Sequence, residues 1–281
     1  MEKIGGQAVI NGVMMKSPGR MAIAVRKGRR IIIKARKLSL WSERLRKWII
    51  IRGVVSLFEM LSLGIKSLNY SADIAAGNEK GKSSSSSWVM AVTTIFALAL
   101  GIGLFKFLPL LAAQLLSPES YIVFNLIDGL TKIAIFIAYV YAISFFKDIH
   151  DVFEYHGAEH KAVNCYEAGK KLTVANAQKF STVHARCGTS FIFIVLLLSI
   201  AVYIFIPKSL PFYMKLLYRL LLLPLIAGMS YEIMKLSAKF SDNPIFSAVS
   251  LPGRLIQLIT TQEPDNGKVE VAIAALKKVV K

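Results

Sequence analysis

Apolar residues dominate four stretches of the chain, 88–107, 121–146, 190–206 and 216–234. Each approaches the roughly 20 residues that a helix needs to cross a hydrocarbon core of about 30 Å. A backbone exposed to lipid must satisfy its own hydrogen bonds, so each stretch predicts a transmembrane helix. The second carries Asp128 and Lys132 four residues apart, on one helical face, where they can neutralise each other if turned into the bundle. An ion path lined by this pair, and hence a transporter, is the alternative reading. A fifth apolar run, 48–68, contains Arg52 and Glu59 and follows Arg44, Arg46 and Lys47. Charges at bilayer depth cost roughly 2.5 to 3.5 kcal/mol each, so this run predicts an amphipathic helix lying in the interface.

Between these runs the pattern changes. Residues 1–37 alternate in short segments, 7–10, 21–25 and 30–34, that predict strands, and Lys27-Gly28 between the last two is a hairpin signal. Residues 78–87 end in five serines and read as a linker, while 268–281 has apolar positions at helical spacing and predicts a short surface helix. The predicted fold is therefore mainly α. It is a polytopic membrane protein with four transmembrane helices, an interfacial helix and a small cytoplasmic N-terminal β-element. The expected divisions are 1–37, the β-element; 38–77, the interfacial helix; 78–87, the linker; 88–146, the first two spans; 147–189, a cytoplasmic loop; 190–234, the last two spans; and 235–281, an amphipathic cytoplasmic tail.

Charge gives the direction of the spans. Lys and Arg number fourteen in residues 1–52, none in 108–120, six in 147–189, two in 207–215 and seven in 235–281. Short cytoplasmic segments carry the positive excess, and this alternation puts both termini and the 147–189 loop in the cytoplasm. The first residues contain no apolar core followed by a small-residue cleavage site, so insertion is expected to rely on internal segments. With 54% apolar residues and a net charge of +18, the composition excludes an ordinary soluble enzyme, an acidic disordered chain and a disulfide scaffold. The basic N-terminal region suits anionic lipid head groups, worth roughly 1 kcal/mol per basic residue. Nucleic acid would also be attracted, but positive-inside bias needs no such partner.

All four histidines and both cysteines fall between residues 150 and 187. At the centre is His156-Gly157-Ala158-Glu159-His160, an H-x-x-E-H sequence. Two imidazoles four apart on a helix share a face and can hold one ion, with Glu159 beside it as general base on a water at the metal, the order of the inverted zincins. Asn164 and Glu167 follow on nearly the same face, as orienters of the histidines or further ligands, and Gly169 marks the helix stop. His184 and Cys187 add a second donor pair at H-x-x-C spacing. Nitrogen and sulfur donors favour zinc or another divalent transition metal over magnesium or calcium. Three protein ligands, His156, His160 and His184, leave a position for water, with Cys187 as fourth ligand or supporting group; four ligands make a closed, structural site. His150 sits among Asp148 and Asp151 on a different face, Cys165 reads as a packed thiol, a disulfide is not expected in a reducing compartment, and Glu232 is a weaker candidate for a third ligand.

The remaining unusual segment, Gly5-Gly6-Gln7 followed by Ala-Val-Ile-Asn11, reads as a tight turn leading into a strand; a backbone anion cradle is the other possibility. Three blocks, residues 5–15, 154–161 and 184–191, resemble the YqhQ-like family of bacterial membrane proteins, described as predicted metal-dependent enzymes. The resemblance implies a metal site at the histidines and leaves the substrate open. The first block departs from the family pattern at Asn11, where Glu is usual, and the third at Ala185, where Pro is usual. A catalytic role for the acid in relatives would not pass to Asn11. The expected function is metal-assisted hydrolysis of a peptide or lipid-linked substrate at the cytoplasmic face. The rivals are a non-catalytic membrane scaffold with structural zinc, and the transporter.

Overall fold

The computed structural model describes residues 3–38, 48–77, 87–116, 119–207, 209–240 and 243–280. Arg44, Arg46, Lys47 and nearly all of the serine linker lie outside the described residues. The N-terminal strands are β1 (Gly5–Val9), β2 (Gly12–Ser17), β3 (Arg20–Lys27) and β4 (Arg30–Lys37), an antiparallel meander in the order β1-β2-β3-β4. The predicted Lys27-Gly28 hairpin forms, with Lys27 opposite Arg30 and Gly28 at φ +57°, a conformation that costs glycine little. Strand β2, buried on both faces, has apolar residues at Val13, Met14 and Met15 and so does not alternate.

Both faces of the sheet are covered. Helix α1 (Ile49–Ala75) brings Leu63 and Ile74 against Val9, Met14, Met21, Ile23 and Val25. On the other face, Val13, Met15, Ala22 and Ala24 pack against α5 (Lys147–Glu167) and α11 (Asn266–Val279). The expectation of a surface helix at 268–281 is corrected here: its apolar positions Val269, Ala272, Ile273, Leu276 and Val279 are buried beneath the sheet, and Ser17 Oγ donates to Val279 O at 2.8 Å. Its amphipathic pattern was genuine, but it could not say which surface the apolar stripe meets.

The remaining helices are α2 (Ser87–Ile102), α3 (Leu108–Leu116), α4 (Tyr121–Ser144), the short α6 (Val174–Ala177), α7 (Gly188–Tyr203), α8 (Phe212–Leu221), α9 (Leu223–Lys239) and α10 (Pro244–Thr260). A π-helical turn at Gly103–Phe107 joins α2 to α3, immediately before Pro109, whose ring displaces the preceding carbonyls. The helix thus continues through 108–116, which the charge pattern assigned to an external loop. Among the described residues, two helical stretches are long and apolar enough to cross a membrane, Val92–Leu116 and Tyr121–Ser144. A third exists if α8 and α9, bent by 43° beside Pro224, form one span, whereas α7 is apolar but has 16 residues. Large apolar side chains such as Phe96, Leu98, Ile122 and Leu130 face outward from these helices, and such apolar exposure suggests membrane association. Helix α1 meets α9 where Gly53 lies against the Gly228 backbone, and Arg52 forms an ion pair with Glu232 beside that contact.

Candidate metal centre

Helix α5 carries the H-x-x-E-H sequence beneath the sheet. It stops as expected at Gly169, which adopts φ +68° and donates to Tyr166 O while Lys170 N–H donates to Cys165 O, the paired bonds of a Schellman ending. Gly157 is required for another reason. A side chain there would meet the Gln262 carbonyl, from the segment after α10 that runs along α5.

His156 and His160 stand one turn apart with ring centroids separated by 4.5 Å. Each Nδ1 faces a backbone carbonyl, that of Thr260 at 2.9 Å for His156 and that of Thr182 for His160. A carbonyl only accepts, so both rings carry their proton on Nδ1 and leave the Nε2 lone pair free. Cys187, the residue that caps α7, brings Sγ to 3.2 Å from His156 Nε2. The three ligating atoms, from His156, His160 and Cys187, all lie within 4.8 Å of one another. Tetrahedral zinc, with bonds of about 2.0 to 2.3 Å, separates nitrogen and sulfur donors by roughly 3.3 to 3.6 Å, so a modest adjustment of this group would fit. Histidine tautomers held by backbone carbonyls are the usual support for zinc ligands.

His184 belongs to a second layer. Its Nε2 lies 3.3 Å from Glu167 Oε2, its Nδ1 accepts from the Arg186 backbone N–H at 3.3 Å, and Arg186 also pairs with Glu167. With Nδ1 engaged as acceptor, no lone pair of His184 is left for an ion, although its ring lies 5.6 Å from that of His160. His156, His160 and Cys187 thus form the possible donor group, and His184 is turned toward Glu167. Asn164 donates to Ser181 O and Val183 O and so pins the loop that carries His184. His150 is at the periphery, 3.8 Å from Glu154, and Glu232 is taken up by an ion pair with Arg52 of α1. Cys165 is buried among apolar residues of the sheet core, and both thiols are free.

Glu159 is 5% exposed, with one carboxylate oxygen 3.4 Å from His160 Nε2. Burial pushes its carboxyl above the usual carboxylate range, against the opposing influence of His156, His184 and Arg186. Burial also pushes His156 and His160 down, which keeps both rings neutral and able to bind an ion. Burial would raise Glu167 as well, but its bonds from His184 and Arg186 override this and hold it low.

Two features were not legible in the sequence. Gly5, Gly6 and Gln7 form no turn: they lie within β1, where Gly6 sits on the Glu159 carboxylate and Gln7 packs on Gly64 of α1. Asn11 is the turn residue, at φ +52°, a conformation that asparagine tolerates better than most. Gln257 of α10 is wholly buried; its Oε1 accepts from His184 N–H at 2.8 Å and its Nε2 donates to His184 O and Ser190 Oγ. A lone glutamine in an apolar helix is the one available signal, and it does not name its partner.

The fold is mainly helical, with apolar helices that suggest membrane association and a largely buried His-His-Cys group under a small antiparallel sheet. The chain belongs to the family described as "Protein of unknown function (DUF1385)", whose model matches residues 48–281. It is 33% identical to "Uncharacterized protein YqhQ" of Bacillus subtilis (strain 168), over 99% of this chain and 92% of that protein. No solved structure matches it.

Proposed function

We propose that the chain is a multi-pass protein of the bacterial plasma membrane with a zinc-dependent hydrolase site on its cytoplasmic face, held by His156, His160 and Cys187 and served by Glu159. The observation that carries this reading is the convergence of two Nε2 lone pairs and one thiol sulfur, each ring fixed by a backbone carbonyl. A divalent ion bound there would supply Lewis acidity to a carbonyl or phosphoryl oxygen. Glu159, its carboxyl raised by burial, is suited to take a proton from an attacking water and return it to the leaving group. Three protein donors leave one position for water or substrate. His184, Glu167 and Arg186 hold the flanking loop. In this reading α7 and the bent α8–α9 pair also cross the bilayer, and positive-inside bias supports both termini in the cytoplasm.

The test is elemental analysis of the detergent-purified full chain. Wild type should carry about one zinc, or another divalent transition metal, per chain and His156→Ala none; equal content in both sinks the proposal. A second reading, a scaffold with structural zinc, is favoured by the burial of Glu159 and His160. Glu159→Gln separates the two: a hydrolase keeps its metal and loses its cellular function, and a scaffold keeps both.

A further inference from the structure

At the far end of the helical bundle a second polar group is buried. The predicted pair forms, with Lys132 Nζ 2.5 Å from Asp128 Oδ2, but Arg219 of α8 shares the same carboxylate through Oδ1. Lys106, in the π-helical turn, donates to Tyr203 Oη at 3.0 Å, and Tyr203 donates in turn to Arg219 O at 3.1 Å. Lys106, Lys132 and Arg219 all lie within 5.3 Å of the centroid of the Tyr203 ring. Lys132 and Arg219 are at most 1% exposed, while Lys106 is partly exposed at the rim. Asp128 lies sixteen residues before Ser144 and Tyr203 sixteen after Cys187, so about 24 Å of helix separates this group from the His-His-Cys group.

The charges do not balance. Among the described residues Asp128 pairs with both Lys132 and Arg219, and Lys106 lies beside them on Tyr203, so basic groups outnumber the carboxylate among apolar helices, where each isolated charge costs several kcal/mol. Lysines at such depth ordinarily extend toward the head groups, yet Lys132 is turned inward. Arg219 Nε is buried with no hydrogen-bond partner, a charged donor that structures rarely leave unused. We infer that this cluster is a binding site for a phosphate-bearing anion, entering at the Lys106 rim and accepting hydrogen bonds from Lys106 and Arg219. Its negative charge would offset the surplus, in part for a phosphodiester head group and more fully for inorganic phosphate, and a guanidinium is well matched to its oxygens. The shared chemistry is a phosphate anion, whether a lipid head group or free inorganic phosphate.

The test uses the detergent-purified full chain and its thermal unfolding midpoint. One arm titrates inorganic phosphate against chloride at equal ionic strength; the other compares phosphatidylglycerol with phosphatidylcholine vesicles after reconstitution. Stabilisation by phosphate over chloride identifies the free ion, and stabilisation by phosphatidylglycerol alone identifies the head group; either supports the site. Lys106→Gln should weaken the response at least about tenfold, and Asp128→Asn, which removes the competing carboxylate, should leave it equal or stronger. No response in wild type, or an unchanged response in Lys106→Gln, overturns the inference. Should Lys106→Gln fail to fold, Asp128→Asn decides, because a weakened response there also overturns it.

Discussion

Gly6 of the first strand rests directly on the carboxyl group of Glu159: a methyl group added at Gly6 would fall 2.6 Å from both Cγ and Oε1 of that residue. No side chain fits in that gap, and the buried Glu159 side chain is held between α5 and the sheet rather than free to swing away. Gly6→Ala should therefore displace Glu159 and cost about 1 to 3 kcal/mol of stability, the usual penalty of overpacking. Gly5→Ala meets open space and should stay within about 0.5 kcal/mol of wild type. Denaturant or thermal melts of the two variants check this, and equal effects would contradict the contact.

Metal content should separate the histidines and cysteines by position. Cys187→Ser should lower zinc occupancy as severely as His160→Ala, whereas Cys165→Ser and His150→Ala should keep wild-type content, because Cys165 lies in the sheet core and His150 at the periphery. His184→Ala should reduce occupancy only partly, about 10- to 100-fold in affinity, as expected for a residue that supports the donors from outside. Retention of metal by Cys187→Ser would return His184 to the ligand set.

The metal-free protein should gain stability from Glu159→Gln, and the gain should depend on pH. Below the unfolded value of 4.5 the carboxyl is protonated in both states and its burial costs little. As pH rises from 4.5 through the raised folded value, the unfolded chain ionises first and the folded state loses stability relative to it. Glutamine removes this loss, so the difference in melting midpoint should be near zero at acid pH and grow toward neutrality. A difference independent of pH would mean that Glu159 is not held as an elevated carboxyl.

Gln257→Leu should be more damaging than its position in an apolar helix suggests. The change keeps the volume but leaves the His184 N–H, the His184 carbonyl and Ser190 Oγ without their partner. One or more unsatisfied buried groups cost about 1 to 3 kcal/mol each. The melting midpoint should fall accordingly, and metal affinity should fall with it because Thr260 O, three residues on, fixes His156.

The H-x-x-E-H spacing and the Gly169 stop were legible because they depend only on helical periodicity and on a local backbone ending. Strands β3 and β4 were legible because their apolar runs flank a local hairpin signal at Lys27-Gly28. What could not be read was which surfaces meet. Residues 268–281 carried the right stripe, but nothing local tells a helix that rests on a membrane from one that seals a sheet. Strand β2, buried on both sides, showed no alternation at all. Which of His184 and Cys187 stands with His156 and His160 turns on which ring nitrogen meets a backbone N–H, a tertiary detail with no trace in spacing. Gly6 could be noticed as one of a glycine pair, but its partner 153 positions later could not.

Ser17 of the second strand bonds to Val279, near the end of the last helix. During synthesis the sheet is made first, and α11 is made after every other described element. One face of the sheet therefore waits, covered only in part by α5, while the intervening helices are made. That delay gives chaperones a reason to engage the nascent chain early, and it makes the carboxyl end a poor place for truncation or a bulky reporter: losing the final turn would open a core that the first forty residues had already committed to.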